Sequence, residues 1–144
     1  MEPYLALFER DRKAGGYVVT FPDFGYGVTQ GETKEEAMEL ARDLLMLTIG
    51  DYIGESRPLP ASSRHCGSKF RPVVLPALQA IKVDLYTVFL ESRLKKAEFA
   101  RRMGIPKTHI ERLFSLRHRS RLHQIELAFG ALCKRLHFEA RNAA

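Results

Sequence analysis

The stretch Lys96-Ala97-Glu98-Phe99-Ala100-Arg101-Arg102-Met103-Gly104-Ile105-Pro106-Lys107-Thr108-His109-Ile110-Glu111-Arg112-Leu113-Phe114 decides how the second half of this chain folds. Its apolar residues Phe99, Met103, Ile105, Ile110 and Leu113 fall where two short crossed helices press together. Ala100 is small at the crossing, and Gly104 stands where the turn asks for a residue that accepts positive φ. Pro106 opens the second helix, where a missing N–H sacrifices no hydrogen bond. The register of apolar, small and glycine positions predicts a helix-turn-helix. An ordinary pair of core helices is the plainer alternative.

On either side of this segment the apolar spacing stays helical. Leu78, Ile81, Leu85, Val88 and Phe89 mark a helix before it, and Leu122, Ile125, Phe129, Leu132, Cys133 and Leu136 mark one after it. The last face is wide for so short an element, which leaves part of it for a second copy of the chain. Upstream of Pro76 the pattern changes. Tyr4 to Glu9 and Tyr17 to Phe21 are β-prone runs around a polar turn at Gly15-Gly16, and Tyr26 to Gln30 predicts a third strand. Thr33 and Glu36 fit a capping box. The helix behind it carries Ala37, Leu40, Ala41, Leu44, Leu45 and Thr48 on one face, with Glu35, Glu39, Arg42 and Asp43 opposite. A polar Ser- and Pro-rich connection over residues 55–68 leads to a possible fourth strand from Phe70 to Leu75. The expectation is an α+β chain, β-β-β-α-β over residues 1–74 followed by an all-helical domain over 77–140.

Charge divides along the same line. Residues 1–70 carry 8 Lys/Arg against 11 Asp/Glu, a net of −3, whereas residues 71–144 carry 15 against 6, a net of +9. An acidic front joined to a basic back implies two jobs, the basic half facing a polyanion. Cys66 and Cys133 form no disulfide framework, no apolar run approaches a membrane span, and the N-terminus lacks signal-peptide character, so a cytoplasmic location is expected.

Several side chains are candidates for chemistry. Lys107, Thr108, His109, Glu111 and Arg112 lie on the second motif helix, the one that enters a major groove. Arg112 suits a guanine edge, Thr108 a thymine methyl or base acceptor, and Lys107 a phosphate. Arg117, His118, Arg119 and Arg121 follow at once and suit flanking phosphates. A solvated charged face is the ordinary reading of such a run, but residues 93–121 hold 10 basic residues against Glu98 and Glu111 alone. Glu35, Glu36, Glu39 and Asp43 invite a carboxylate metal site. The first strand has no acid inside it to converge on them, so neither catalysis nor a metal is expected there. Cys133 with His137, and His65 with Cys66, lack the ligand count of a zinc site, and Cys133 reads as a small core residue. Around the turn Phe21-Pro22-Asp23-Phe24-Gly25-Tyr26, either Phe21 and Tyr26 belong to the sheet core with Phe24 beneath the loop, or the aromatics form an exposed partner patch.

The order Gly16-Tyr17-Val18-Val19-Thr20-Phe21-Pro22-Asp23, then Val28-Thr29-Gln30-Gly31-Glu32-Thr33, then Glu36-Ala37, Leu75-Pro76 and Arg112-Leu113-Phe114-Ser115-Leu116-Arg117-His118 resembles the HicB antitoxins of HicA–HicB toxin–antitoxin systems, in the branch with a helix-turn-helix tail. The resemblance covers nearly the whole chain. It implies an N-terminal module like a partial ribonuclease H fold that silences HicA, a small basic ribonuclease with a catalytic His. It implies also a C-terminal module that dimerises, as a homodimer or dimer of dimers, and represses the operon at operator DNA. Two departures stand out. Phe24-Gly25-Tyr26-Gly27 replaces the usual Pro-Gly-Cys-like set, and Thr108-His109 stands where relatives often have Gln-Glu. On this reading the toxin meets Asp23 and Phe24 on the turn and the acidic face of Glu35, Glu39 and Asp43. No cofactor is expected. The rival readings are a stand-alone repressor whose front module senses a small ligand, and a ribonuclease H-like nuclease with a DNA-targeting tail.

Overall fold

Strand β1 (Tyr4–Arg10) lies inside a four-stranded antiparallel sheet of order β3-β2-β1-β4, formed with β2 (Tyr17–Thr20), β3 (Val28–Gly31) and β4 (Phe70–Val73). The computed structural model describes residues 1–140. The sheet and helix α1 (Lys34–Gly54) belong to one compact unit, Met1–Ala80, and a second unit begins at Ile81. Side chains alternate across a pleated strand, so Tyr4, Ala6 and Phe8 share one face of β1. Phe8 stands opposite Val19 and Tyr4 opposite Val73, and all these residues are buried. Helix α1 covers that face with Ala37, Ala41, Leu45, Thr48, Ile49, Tyr52 and Ile53.

The capping box forms with one displacement. Thr33 Oγ1 accepts from the Glu36 N–H at 3.1 Å, while the Glu36 carboxylate takes the N–H of Glu32, one residue before the cap, at 2.7 Å. Gly31 makes this junction possible. A Cβ there would sit 2.5 Å from the Ala37 nitrogen, so nothing larger fits between β3 and the helix. The third strand begins at Val28 rather than at Tyr26. Gly25 and Gly27 both take positive φ, which carries the chain out of extended geometry until Val28. Tyr26 therefore lies outside the sheet core, 43% exposed and stacked on Tyr52. Phe24 goes the other way: it is 5% exposed and packs against Tyr4, Phe21 and Tyr52.

The connection over residues 55–68 is tied down by polar contacts. Tyr4 donates its hydroxyl to the Pro60 carbonyl at 2.6 Å, Ser62 donates to the Pro3 carbonyl, and Ser63 and His65 both meet Asp23. Burial, with Asp23 and Tyr52 nearby, pushes the Tyr4 phenol up to about 12, so it remains a donor at any ordinary pH.

The division between units falls within α2 (Ala77–Glu91). Beyond it come α3 (Lys96–Met103), α4 (Lys107–Phe114) and α5 (Leu122–Ala131). Tyr86, Phe89, Phe99 and Phe114 form an aromatic core with centroids 5.0–6.2 Å apart, closed by Leu85, Ile110, Leu113, Ile125 and Phe129. Gly104 ends α3 at φ +66°, and the N–H groups of Gly104 and Ile105 return to Arg101 and Ala100, a Schellman closure. Pro106 is the N-cap of α4, at φ −62° and ψ 148°.

Helix α5 ends earlier than its apolar spacing predicts. Leu132 is the C-cap, and Cys133 takes φ +57° while Lys134 N–H returns to the Phe129 carbonyl. Cys133 thus occupies the left-handed closing position that glycine usually fills. It is exposed, which corrects its reading as a core residue, and it shares no helix with His137. The whole is α+β, with five helices among the described residues, none of them long and apolar enough to cross a membrane.

Candidate partner and nucleic-acid surfaces

In the second unit, the side chains expected to meet DNA are all exposed: Lys107, Thr108, His109, Glu111 and Arg112 on α4, and Arg117, His118, Arg119 and Arg121 beyond it. The amphipathic split of α4 accounts for this. Ile110, Leu113 and Phe114 turn inward, so residues 107–109, 111 and 112 are left outward. His109, Arg112 and His118 border one cleft, whose floor includes Met103, Ile105 and Leu113. Glu111 differs from the rest, because Lys96 holds its carboxylate at 2.9 Å. That ion pair offsets the one negative charge on an otherwise cationic face.

Nothing in the residue spacing singles out Lys82, yet it is fully buried and donates to the carbonyls of Arg112, Ser115 and His118. A lysine at the third position after Gln79 on an amphipathic helix reads as a snorkelling surface residue. Only the tertiary fold brings the carbonyls of Arg112, Ser115 and His118 to it. Apolar residues also remain uncovered in this unit: Leu122, Leu127 and Phe138 are exposed, of which only Leu122 belongs to the predicted last-helix face.

The first unit separates the residues expected to meet a protein partner. Asp23 is enclosed and internally engaged. Its carboxylate accepts from the Ser63 N–H at 3.1 Å and faces His65 Nε2 at 3.3 Å, while the His65 ring stacks on Phe70. Burial pushes the Asp23 carboxyl upward, but the Ser63 hydrogen bonds and His65 outweigh it and hold the group below the ordinary carboxylate value. Phe24 is enclosed as well, against Tyr52. Tyr52 lies 17 residues along α1 from Glu35, roughly 25 Å at 1.5 Å per residue. The turn thus packs at the opposite end of the helix from Glu35, with Glu39 in the second turn and Asp43 near the helix centre.

Glu35, Glu39 and Asp43 are exposed, but they do not form a purely acidic face. Glu35 and Glu39 line a groove together with Arg10, Lys34, Arg42, Lys69 and Arg71. Arg42 is oriented by the Val74 carbonyl at 3.1 Å, and Lys34 lies over the Tyr17 ring. A different surface carries the apolar character. Tyr26, Val28 and Leu47 are 43%, 65% and 50% exposed. A Cβ on Gly27 would touch Leu44 at 3.2 Å and Thr48 at 3.6 Å, so the 26–28 segment runs along α1 beside Leu44, Leu47, Thr48 and Asp51, which share a helix face. Sequence reasoning began the third strand at Tyr26 and left open whether this ring joined the sheet core or an exposed partner patch; Val28 and Leu47 were not singled out. The paired positive-φ glycines were the available signal. Among the described residues, no three His, Cys, Asp or Glu side chains gather as a metal site.

Comparison with known proteins bears on both units. Residues 3–84 match a family described as HicB_like antitoxin of bacterial toxin-antitoxin system. "Antitoxin HicB" of Escherichia coli (strain K12) is 40% identical over 122 residues, which cover 85% of this chain and 88% of that protein. "Antitoxin HicB 2" of Photorhabdus laumondii is 36% identical over 137 residues, 95% of each chain. Among solved structures, a chain of a toxin–antitoxin complex from Streptococcus pneumoniae is 39% identical, with 42% of this chain and 44% of that chain covered at a TM-score of 0.40. With more than half its length matched by one family and relatives aligned across nearly all of it, the chain belongs to the HicB-like antitoxins of bacterial toxin–antitoxin systems.

Proposed function

We propose that this chain neutralises a HicA-like ribonuclease toxin through its first unit and represses its own operon through its second, acting in the cytoplasm by occlusion and without chemistry of its own. Family membership across both units carries the toxin half of this reading. The exposed cationic array of Lys107, Arg112, Arg117, Arg119 and Arg121 supports the DNA half. Lysine and arginine on an outward helix and its following loop fit phosphates on both sides of a major groove, with Arg112 placed for a base edge and Lys107 for backbone. Two copies then present their α4 helices to half-sites about 34 Å apart or a multiple of it. The exposed Leu122 and Leu127 on α5 are the apolar surface available for that pairing.

Toward the toxin, Glu35, Glu39 and Asp43 act in steering a cationic partner, since exposed charges govern association rate more than lifetime. The strip of Tyr26, Val28 and Leu47 supplies the apolar anchors. Phe24 contributes from beneath by holding Tyr52, on which Tyr26 stacks. Asp23 contributes by fixing the connection at Ser63 and His65. The test is co-purification of the tagged full chain with the small basic protein encoded beside it, followed by gel shifts on the DNA upstream of its own reading frame. A stoichiometric complex with loss of ribonuclease activity, and a sequence-dependent shift, are expected. A chain that captures no neighbour-encoded protein, or cleaves RNA itself, overturns the reading.

A further inference from the structure

Helix α4 ends at Phe114, so the carbonyls of its last turn need partners from outside the helix. Ser115 N–H closes on Glu111, which leaves Arg112 to be satisfied elsewhere. Lys82 Nζ lies 3.2 Å from the Arg112 carbonyl, 2.7 Å from that of Ser115 and 2.5 Å from that of His118. An ammonium has three N–H donors, and here three carbonyls take them. The cation also sits at the negative end of the α4 dipole. Burial draws Lys82 down to about 8, still above neutral, so the ammonium is the form that meets the three carbonyls at pH 7.

Between Ser115 and His118 the chain is also anchored by Leu116, which is buried in the core of this unit. It forms a turn with His118 N–H on the Ser115 carbonyl at 3.3 Å; Arg117, His118 and Arg119 are exposed, His118 Nδ1 lies 3.5 Å from Ser120 Oγ, and Ser120 is the next buried residue after Leu116. We infer that Lys82 is a positioning residue of the DNA-contacting surface: with Leu116 packed in the core, its ammonium fastens the Ser115–Arg121 loop to the last turn of α4, so that Arg112, Arg117 and Arg119 meet a duplex as one preformed array. This rests on the reading of the second unit as a DNA binder. A preformed array loses less conformational freedom on binding than one that must be ordered by the duplex. Each loop arginine that meets a phosphate also adds to the salt dependence of binding.

The experiment uses the full chain as wild type and as Lys82→Met, which keeps the stem and removes the donors. Amide exchange is followed in the free protein, and affinity for a duplex spanning the DNA immediately upstream of the chain's own reading frame is measured across a range of salt. In Lys82→Met, exchange over residues 115–121 accelerates at least about tenfold while α2 and α3 keep their protection. Duplex affinity falls at least about tenfold and its salt slope becomes shallower. Wild-type loop protection with wild-type duplex affinity overturns the inference, as does a uniform loss of protection throughout the second unit. If Lys82→Met fails to fold, the wild type still decides. Its Lys82 Nζ protons must exchange slowly and show couplings to the three carbonyls, and their absence overturns the assignment. A wild-type chain that ignores the upstream duplex overturns the DNA reading instead, and the exchange result then judges the latch alone.

Discussion

In the first unit the Asp23 carboxylate holds a loop through the Ser63 N–H and the His65 ring, while in the second the Lys82 ammonium holds one through three backbone carbonyls. The acid has a titratable partner that is itself partly exposed, and the loop it restrains is also pinned at Pro60 and Ser62. The cation is fully buried and its acceptors are all main chain. Removing Asp23 therefore frees groups that water can reach. Removing the Lys82 amine takes this donor from the Arg112 and His118 carbonyls and leaves that of Ser115 with the His118 N–H alone. The two units thus hold these loops by different means, an acid with a titratable, partly exposed partner in one and a buried cation on main-chain carbonyls in the other.

The largest effects come from the aromatics beneath those loops. Phe24→Ala and Phe114→Ala should each cost about 3–5 kcal/mol, because each ring touches three others and leaves a cavity. Residue-resolved exchange during denaturation should show each substitution lowering protection in its own unit only. Shared loss would mean that the two cores are one. Next comes Lys82→Met, at about 1–3 kcal/mol. Its folded pKa of about 8 lies below the ordinary lysine value of 10.5, so the unfolded chain holds more protons between them. Wild-type stability should accordingly rise relative to Lys82→Met as pH climbs through that window, and be lost again as pH falls through about 8, by urea denaturation at each pH.

A smaller change, about 1–2 kcal/mol, is expected for Asp23→Asn. The Asp23 carboxyl is held below its ordinary value, so the wild-type advantage is complete above that value and disappears as pH falls through the lowered one. An advantage that persisted in strong acid would show that the carboxylate is not the restraint. Least affected in stability is Glu35→Lys with Glu39→Lys, within about 0.5 kcal/mol. Its signature is kinetic: slower association with the purified toxin and a flatter salt dependence, at nearly unchanged dissociation. A change in dissociation alone would move the anchors from Tyr26, Val28 and Leu47 to the acidic end of α1.

Much of the architecture is legible without coordinates, because periodicity reports what a residue faces. The alternation through Tyr4, Ala6 and Phe8, the Thr33 cap, and the Phe99–Leu113 register each follow from local spacing. What escapes the sequence depends on backbone geometry or on contacts between distant residues. Tyr26 leaves the core because two glycines turn the chain before Val28. Cys133 leaves it because α5 closes through a left-handed residue that is not glycine. Asp23 and His65 are 42 residues apart, and Lys82 meets carbonyls 30 to 36 residues away, so no motif could join them. The acidic face of α1 was visible, but its cationic neighbours Arg10, Lys69 and Arg71 come from strands and loops that only folding brings alongside.

On the proposed function, toxin capture and DNA binding occupy separate surfaces of one chain. The most direct measurement is the affinity of full-length Arg112→Ala/Arg117→Ala/Arg119→Ala for both partners, the neighbour-encoded basic protein and the upstream duplex. These side chains are exposed, so the fold should survive their loss. The account predicts that duplex affinity drops about a hundredfold or more at physiological salt, while affinity for the protein partner stays within about twofold of wild type. Loss of both affinities, or retention of both, would contradict it.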